Sequence, residues 1–288
     1  MTPPKYLAAR SVEEALSLLS QYGEKARFVS GGTDFLMQLK RGEVVPECLI
    51  RLGEVHELDF IKYDEVNGLR IGALTTIVNV ANSSTIRSKF SILAQAAGML
   101  GTPAVRNQAT LGGNLCNAAP SADTAPPLLA LGALAKIVGT GGEKIVPLEG
   151  FFVGPGQTVL GQDRLLTEIL IPNIPPHSGG AYLKQKRRQG ADLAVVGVAA
   201  LVVMEGEVLK DVKIALGAVA PTPIRAKKAE EILRGKKLDQ RLLEKSGQTA
   251  SGEASPIDDI RGSADYRREL VAVLTRRAIT QATQQAEG

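Results

Sequence analysis

The sequence predicts an α+β protein built from two units, and three observations carry that expectation. Two glycine-pair segments, Ser30-Gly31-Gly32-Thr33 and Leu111-Gly112-Gly113-Asn114, lie about 80 residues apart in the first half of the chain. The stretch Pro172-Asn173-Ile174-Pro175-Pro176-His177-Ser178-Gly179-Gly180 reads as a linker. Beyond it, two long apolar runs precede charged helical segments, the pattern of a separate α+β unit. At 288 residues the chain is long enough for two domains.

The elements follow in order. Ser11-Val12-Glu13-Glu14 is a capping box, with Val12, Ala15, Leu16, Leu18 and Leu19 as the apolar helix face behind it and Gly23 as its stop. Arg27 to Val29 is a short buried strand that runs into the first glycine pair, and helical spacing resumes from Thr33 to Lys40. Cys48 to Leu52 is another strand. Leu58 to Tyr63 and Leu69 to Leu74 flank Asn67-Gly68, a hairpin signal. Ile86 to Leu100 is expected to be one helix. The second glycine pair follows as a loop, and Pro126-Pro127 fits the first turn of a helix continued by Leu128, Leu129 and Leu131. Ala135 to Val138 and Lys144 to Val146 form a hairpin around Gly139 to Gly142, and Leu165 to Ile171 is a strand closed by Pro172. Past the linker, Ala194 to Met204 and Val208 to Val219 form a long hairpin. Helices then run from about Arg225, the last spanning Ala264 to about Gln281.

Composition narrows the function. Apolar residues make up 44%, so a core is readily built. The 34 basic and 30 acidic residues leave a net charge of +4, small and scattered, which gives no case for nucleic acid. The densest basic cluster, Lys184-Gln185-Lys186-Arg187-Arg188, reads equally as a solvated strand or loop face. Cys48 and Cys116 form no CxxC, and His56 and His177 are isolated, so no metal centre is expected. Neither a secretory segment nor an apolar run of ~20 residues is present, and the expected setting is the cytoplasm. No Ser/His/Asp set or paired carboxylates stand out, so no catalytic residue is assigned.

The glycine pairs carry the chemistry. Glycine lets a ligand approach bare peptide, and consecutive N–H groups form a concave anion site. Two such segments in one unit suit an elongated ligand with a diphosphate in its middle, hence a dinucleotide cofactor and redox chemistry. Asn114 and Asp123 add polar groups. Asp123 suits ribityl or ribose hydroxyls, or alternatively caps the helix before Pro126. Neither segment fits the G-x-G-x-x-G pattern of a Rossmann fold or a Walker A loop.

Phe28 to Asp34, the long motif Gly101 to Asn114, Pro120 to Asp123, Leu165 to Ile169 and Lys184 to Arg188 together resemble the FAD-binding medium subunit of molybdenum hydroxylases. Carbon monoxide dehydrogenase and xanthine dehydrogenase exemplify this family. The resemblance spans essentially the whole chain. It implies a two-part FAD-binding domain of the vanillyl-alcohol-oxidase/PCMH type over 1–174, with subdomains of about 1–55 and 56–174. A smaller α+β domain of the carbon monoxide dehydrogenase flavoprotein type would follow over 175–288.

The resemblance further implies FAD as cofactor. Val29, Ser30, Gly31, Gly32, Thr33, Asp34 and Phe35 would cover its diphosphate. Thr110, Gly112, Gly113 and Asn114 would form a second cradle, with Thr102 in the same motif. Asp123 would hold a ribityl or ribose hydroxyl, and Leu166 and Lys184 would lie near the flavin, with Lys184 stabilising negative charge on the reduced ring. Gly112→Val is then expected to abolish flavin binding and spare the fold. The implied role is electron transfer. A large subunit carries the molybdenum cofactor, a small one carries iron–sulfur clusters, and the assembly is a dimer of heterotrimers. The competing expectations are a self-sufficient FAD-dependent oxidase or reductase of the same fold, and an interaction protein that has lost the flavin.

Overall fold

The capping-box sequence begins the first helix of a β-α-β-α-β run. Ser11 caps the helix Val12–Tyr22, its Oγ accepting from the Glu14 N–H at 3.1 Å, while the Glu14 carboxylate accepts from the Arg10 N–H at 2.8 Å. Gly23 ends the helix with φ of 53°, a backbone state that glycine adopts without penalty. In this computed structural model, which describes residues 3–161 and 163–287, the strands Lys5–Ala8 and Ala26–Val29 both pair in parallel with Cys48–Arg51 between them. Parallel neighbours need crossovers, supplied by Val12–Tyr22 and by the glycine turn with the helix Phe35–Lys40. The Lys5–Ala8 strand is not among those expected from the sequence; none of its residues is fully buried, whereas Cys48, Leu49 and Ile50 are buried.

A five-stranded antiparallel sheet comes next, in the order Ile61–Asp64, Gly68–Gly72, Arg164–Ile171, Leu134–Gly139, Gly142–Pro147. Both expected hairpins form. Between Gly72 and Leu134 the chain makes six short helices. The single helix expected from Ile86 to Leu100 is two, Ser84–Lys89 and Ser91–Met99, broken at Phe90. Phe90 is buried at φ −136°, a bend that leaves Ile86, Ile92 and Leu93 in one core. The second glycine pair, expected as a loop, lies instead in the helix Leu111–Cys116; this helix and Pro103–Gln108 before it are capped by the hydroxyls of Thr110 and Thr102. Thr-Pro at the cap and first position was the readable signal of Pro103–Gln108. Ala125–Ala130 starts on its prolines as expected.

The expected linker is shorter in the structure. It ends at His177, and the strand Ser178–Gln185 begins there. Gly179 and Gly180 lie inside this strand because other elements press on both its faces. A Cβ on Gly179 would lie 2.0 Å from the Ala282 carbonyl oxygen, and one on Gly180 would lie 3.2 Å from Ile92 Cβ. The third sheet runs Ser178–Gln185, Val196–Glu205, Val208–Gly217, Ile224–Arg225, with Lys236–Lys237 paired to the start of the third strand. One face, with Val198, Ala200, Ile214 and Leu216, packs under the helices Lys227–Leu233, Gln240–Glu253 and Ala264–Glu287. The other, with Tyr182, Ala199, Leu201 and Ala215, joins the core around Leu93 and Leu128. None of the described helices is long and apolar enough to cross a membrane.

Candidate functional site

A cleft of about 960 Å³ opens between the small parallel sheet and the helices inserted between Gly72 and Leu134 of the second sheet. That volume lies at the upper end for small-molecule sites. Val29 to Phe35, Thr110, Gly112, Gly113, Asn114, Asp123 and Leu166 all line it. Thr102 stands off the wall as an exposed helix cap, and Lys184 is buried behind Asp123. The structure therefore brings the two glycine segments together, as one elongated ligand requires.

The two segments differ in what their backbones offer. The N–H groups of Ser30, Gly31, Gly32, Thr33 and Asp34 donate to no acceptor among the described residues. Gly32 sits at φ 70°, which turns this run of donors into a concave nest suited to an anion. In the second segment the donors are spent. Leu111 N–H goes to the Thr75 carbonyl and Gly112 N–H to that of Ala73, both at 2.9 Å. Gly113 N–H goes to Thr110 Oγ1 and Asn114 N–H to the Thr110 carbonyl, both at 3.0 Å. The expectation of bare amides therefore holds at the first segment and fails at the second, where a capped helix has consumed them.

The glycines have packing reasons as well. A Cβ on Gly31 would lie 1.9 Å from the Gln108 carbonyl oxygen, so the first turn is pressed onto the end of the Pro103–Gln108 helix. On Gly112 it would meet Ala73 Cβ and the Ala73 carbonyl oxygen at 2.7 Å, a crowding that runs against the expectation that Gly112→Val spares the fold. On Gly113 it would come within 2.8 Å of Ser30 Oγ and Thr110 Oγ1, which hydrogen-bond each other at 3.1 Å and join the segments. Asn114 Oδ1 accepts from Thr124 Oγ1 at 2.6 Å, which aims the side chain into the cleft wall.

Asp123 does not cap the following helix; Thr124 holds the cap position. Its carboxylate instead accepts from Tyr182 Oη at 2.9 Å and from Lys184 Nζ at 2.7 Å. The side chains of Lys184 and Asp123 are 2% and 6% exposed, so Lys184 is no solvated strand lysine. Burial pushes the Asp123 carboxyl up from its usual range, and Lys184, Tyr182 and Lys186 pull it back. Burial and the adjacent carboxylate lift the Tyr182 phenol well above its usual value. Tyr182 was missed in the sequence, although it stands two residues before Lys184 and so on the same strand face. Also missed were Cys116, a half-buried cleft residue whose thiol burial pushes up to about 12, and the Arg188 to Leu193 loop at the cleft mouth. Among the described residues no group of three or more His, Cys, Asp or Glu side chains is placed to hold a metal ion.

These features fit FAD. A nest of five free amides suits a diphosphate, the Asp123 carboxylate at the cleft suits the hydroxyls of a ribityl chain, and the apolar side chains of Leu166 and Phe35 suit a ring system.

Known proteins resemble the chain along its whole length. A family model for the FAD binding domain in molybdopterin dehydrogenase matches residues 2–174, and one for the CO dehydrogenase flavoprotein C-terminal domain matches residues 181–282. The carbon monoxide dehydrogenase medium chain of Hydrogenophaga pseudoflava is 33% identical over 284 residues, covering 98% of both chains. The glyceraldehyde dehydrogenase medium chain of Sulfolobus acidocaldarius is 34% identical over 280 residues, covering 96% of this chain and 98% of the other. Among solved structures, a chain of the H. pseudoflava carbon monoxide dehydrogenase that lacks the Mo-pyranopterin moiety superposes with a TM-score of 0.95, covering 99% of each chain at 33% identity. A chain of quinoline 2-oxidoreductase from Pseudomonas putida 86 gives 0.93 at 31% identity, also covering 99% of each.

Proposed function

The chain belongs to the family of FAD-binding medium subunits of molybdenum hydroxylases, and on that premise we propose how its residues hold the flavin and what it serves. The carrying observation is the nest of free N–H groups from Ser30 to Asp34. There the FAD diphosphate is gripped. Val29 and Phe35 flank it, Thr110, Gly113 and Asn114 close the opposite wall, and Gly112 and Thr102 set the backbone behind that wall. Asp123 takes a ribityl or ribose hydroxyl. Leu166 lies against the ring system, and Lys184 acts on the site through Asp123.

FAD supplies the redox chemistry when bound: it takes up electrons singly and passes them to an external acceptor. The protein binds and orients it, and no side chain of this chain is assigned a proton-transfer step. We place the chain between a small iron–sulfur subunit and an acceptor, in a complex whose large subunit carries the molybdenum cofactor. We further assign a dimer of heterotrimers in the cytoplasm, with the flavin domain over 1–174 and the second domain over 175–288. The relatives' names, which include carbon monoxide, xanthine and glyceraldehyde dehydrogenases, support the complex and leave its substrate to the large subunit.

The test is affinity purification of the tagged chain from its own cells, with an absorbance scan and identification of what comes with it. A flavin spectrum, one larger and one smaller subunit, and molybdenum in the eluate are expected. A colourless chain, or a lone monomer that turns over an organic substrate unaided, contradicts the proposal.

A further inference from the structure

Three side chains from the two halves of the molecule meet at the cleft wall, where Asp123 lines the cleft and the other two bond to it. Asp123 stands in the first half; Tyr182 and Lys184 are alternate residues of the Ser178–Gln185 strand. Tyr182 Oη donates to Asp123 Oδ1 at 2.9 Å and Lys184 Nζ to Asp123 Oδ2 at 2.7 Å. Lys184 Nζ also donates to the Met99 carbonyl at 3.2 Å, and the Tyr182 N–H donates to Gln95 Oε1 at 3.3 Å, so the strand is tied to the first half at several points. The Tyr182 ring has room because residue 197 is glycine: a Cβ there would lie 2.8 Å from its hydroxyl.

We propose that Tyr182 is a positioning residue of the flavin site, whose hydroxyl fixes the plane of the Asp123 carboxylate so that its remaining lone pairs face a ribityl or ribose hydroxyl in the cleft. This rests on the reading of Asp123 as a flavin contact. A carboxylate has about four acceptor sites. One donor leaves it free to rotate about Cβ–Cγ; a second donor, on the other oxygen and from another direction, removes that freedom. Because Asp123 lines the cleft, what remains of its acceptor capacity points at the ligand. An acceptor-only anion attracts hydroxyls and repels phosphate. Asp123 therefore orients the cofactor, with its diphosphate at the Ser30 to Asp34 amides and an adjoining hydroxylated chain at Asp123. Burial favours protonation of Asp123. The groups that oppose this are Lys184, Tyr182 and, at longer range, Lys186. Tyr182 remains a protonated donor throughout.

The test is the FAD dissociation constant of the full chain, read by flavin fluorescence from about pH 5 to about pH 9, for wild type, Tyr182→Phe, Asp123→Asn and the double variant. Tyr182→Phe is expected to lose little at the alkaline end and about tenfold at the acid end, because losing a hydrogen bond to the charged form moves the acid limb up by about one pH unit. Asp123→Asn is expected to weaken binding at every pH, and Tyr182→Phe to add nothing in that background. Superimposable curves for wild type and Tyr182→Phe overturn the proposal. So does a pH-independent loss that persists in the Asp123→Asn background, the mark of a purely structural role. Unchanged binding by Asp123→Asn overturns the premise, and is told apart because it appears in that variant alone. Should Tyr182→Phe not fold, 3-fluorotyrosine at position 182, a stronger donor of nearly the same shape, is expected to move the acid limb down, and an unmoved limb overturns the proposal.

Discussion

Gly31 has no room for a side chain. Its Cβ would sit 1.9 Å from a backbone carbonyl, which has no rotamer with which to yield. Gly31→Ala is expected to cost at least the ~1–3 kcal/mol of overpacking and to displace the free amides beside it. Thermal melting and FAD titration should both register the loss; an unshifted melting temperature contradicts the packing. Cys116 offers a second residue-scale check. The thiolate is the reactive form, and burial holds this thiol protonated. Iodoacetamide at pH near 8 is expected to leave Cys116 unmodified in the native chain, and rapid labelling contradicts the burial. The same burial has a sign in stability. An ordinary thiol titrates at 9.0 and the folded one at about 12, so in between the native state keeps a proton that the unfolded chain releases. Stability then falls as pH rises through that window, and the comparison with Cys116→Ala should shift in the variant's favour. The glycines and the cysteine were visible in the sequence as residues. Their reasons were not, because the atoms that crowd Gly31 belong to residues 108 and 109.

At the scale of elements, local chemistry was readable and tertiary crowding was not. The Ser11 capping box, the Gly23 stop and the Asn67-Gly68 and Gly139 to Gly142 hairpins are contained within a few residues each, and each is found where expected. The second glycine pair misled because glycine also serves close packing. Gly112 and Gly113 occupy the first turn of a helix capped by Thr110, with Gly112 against Ala73. Gly112→Val is accordingly expected to lower the melting temperature and weaken flavin binding together, through a cost of about 1–3 kcal/mol for forcing side-chain volume into a filled space. A variant that melts like wild type but holds no flavin would restore the simpler reading, in which position 112 faces the ligand. Gly179 and Gly180 misled in the same way: a linker signal in sequence turned out to be a strand that another helix approaches closely.

Across the whole molecule, the proposed flavin site draws on the second half of the chain. The first strand of that half supplies Tyr182 and Lys184, and its sheet shares a core with the helices of the first half. No periodicity could have joined residues 123 and 184, so this pairing was beyond pattern reading; it entered only as proximity to a common flavin. A buried pair of opposite charges is costly to break from one side. Lys184→Met leaves Asp123 uncompensated and is expected to cost about 3–5 kcal/mol in urea unfolding, with much of the loss recovered in the Asp123→Asn/Lys184→Met double variant. A loss below about 1 kcal/mol, the range of exposed pairs, contradicts the burial.

The central claim is that unpaired amides from Ser30 to Asp34 grip the diphosphate of one flavin nucleotide. Competition between FAD and riboflavin for the purified full chain tests it most directly, because the two share the ring and ribityl chain and differ in the diphosphate and adenosine. The account predicts one FAD bound per chain, with riboflavin failing to displace it even in large excess. Riboflavin binding as tightly as FAD, or no flavin bound at all, contradicts it.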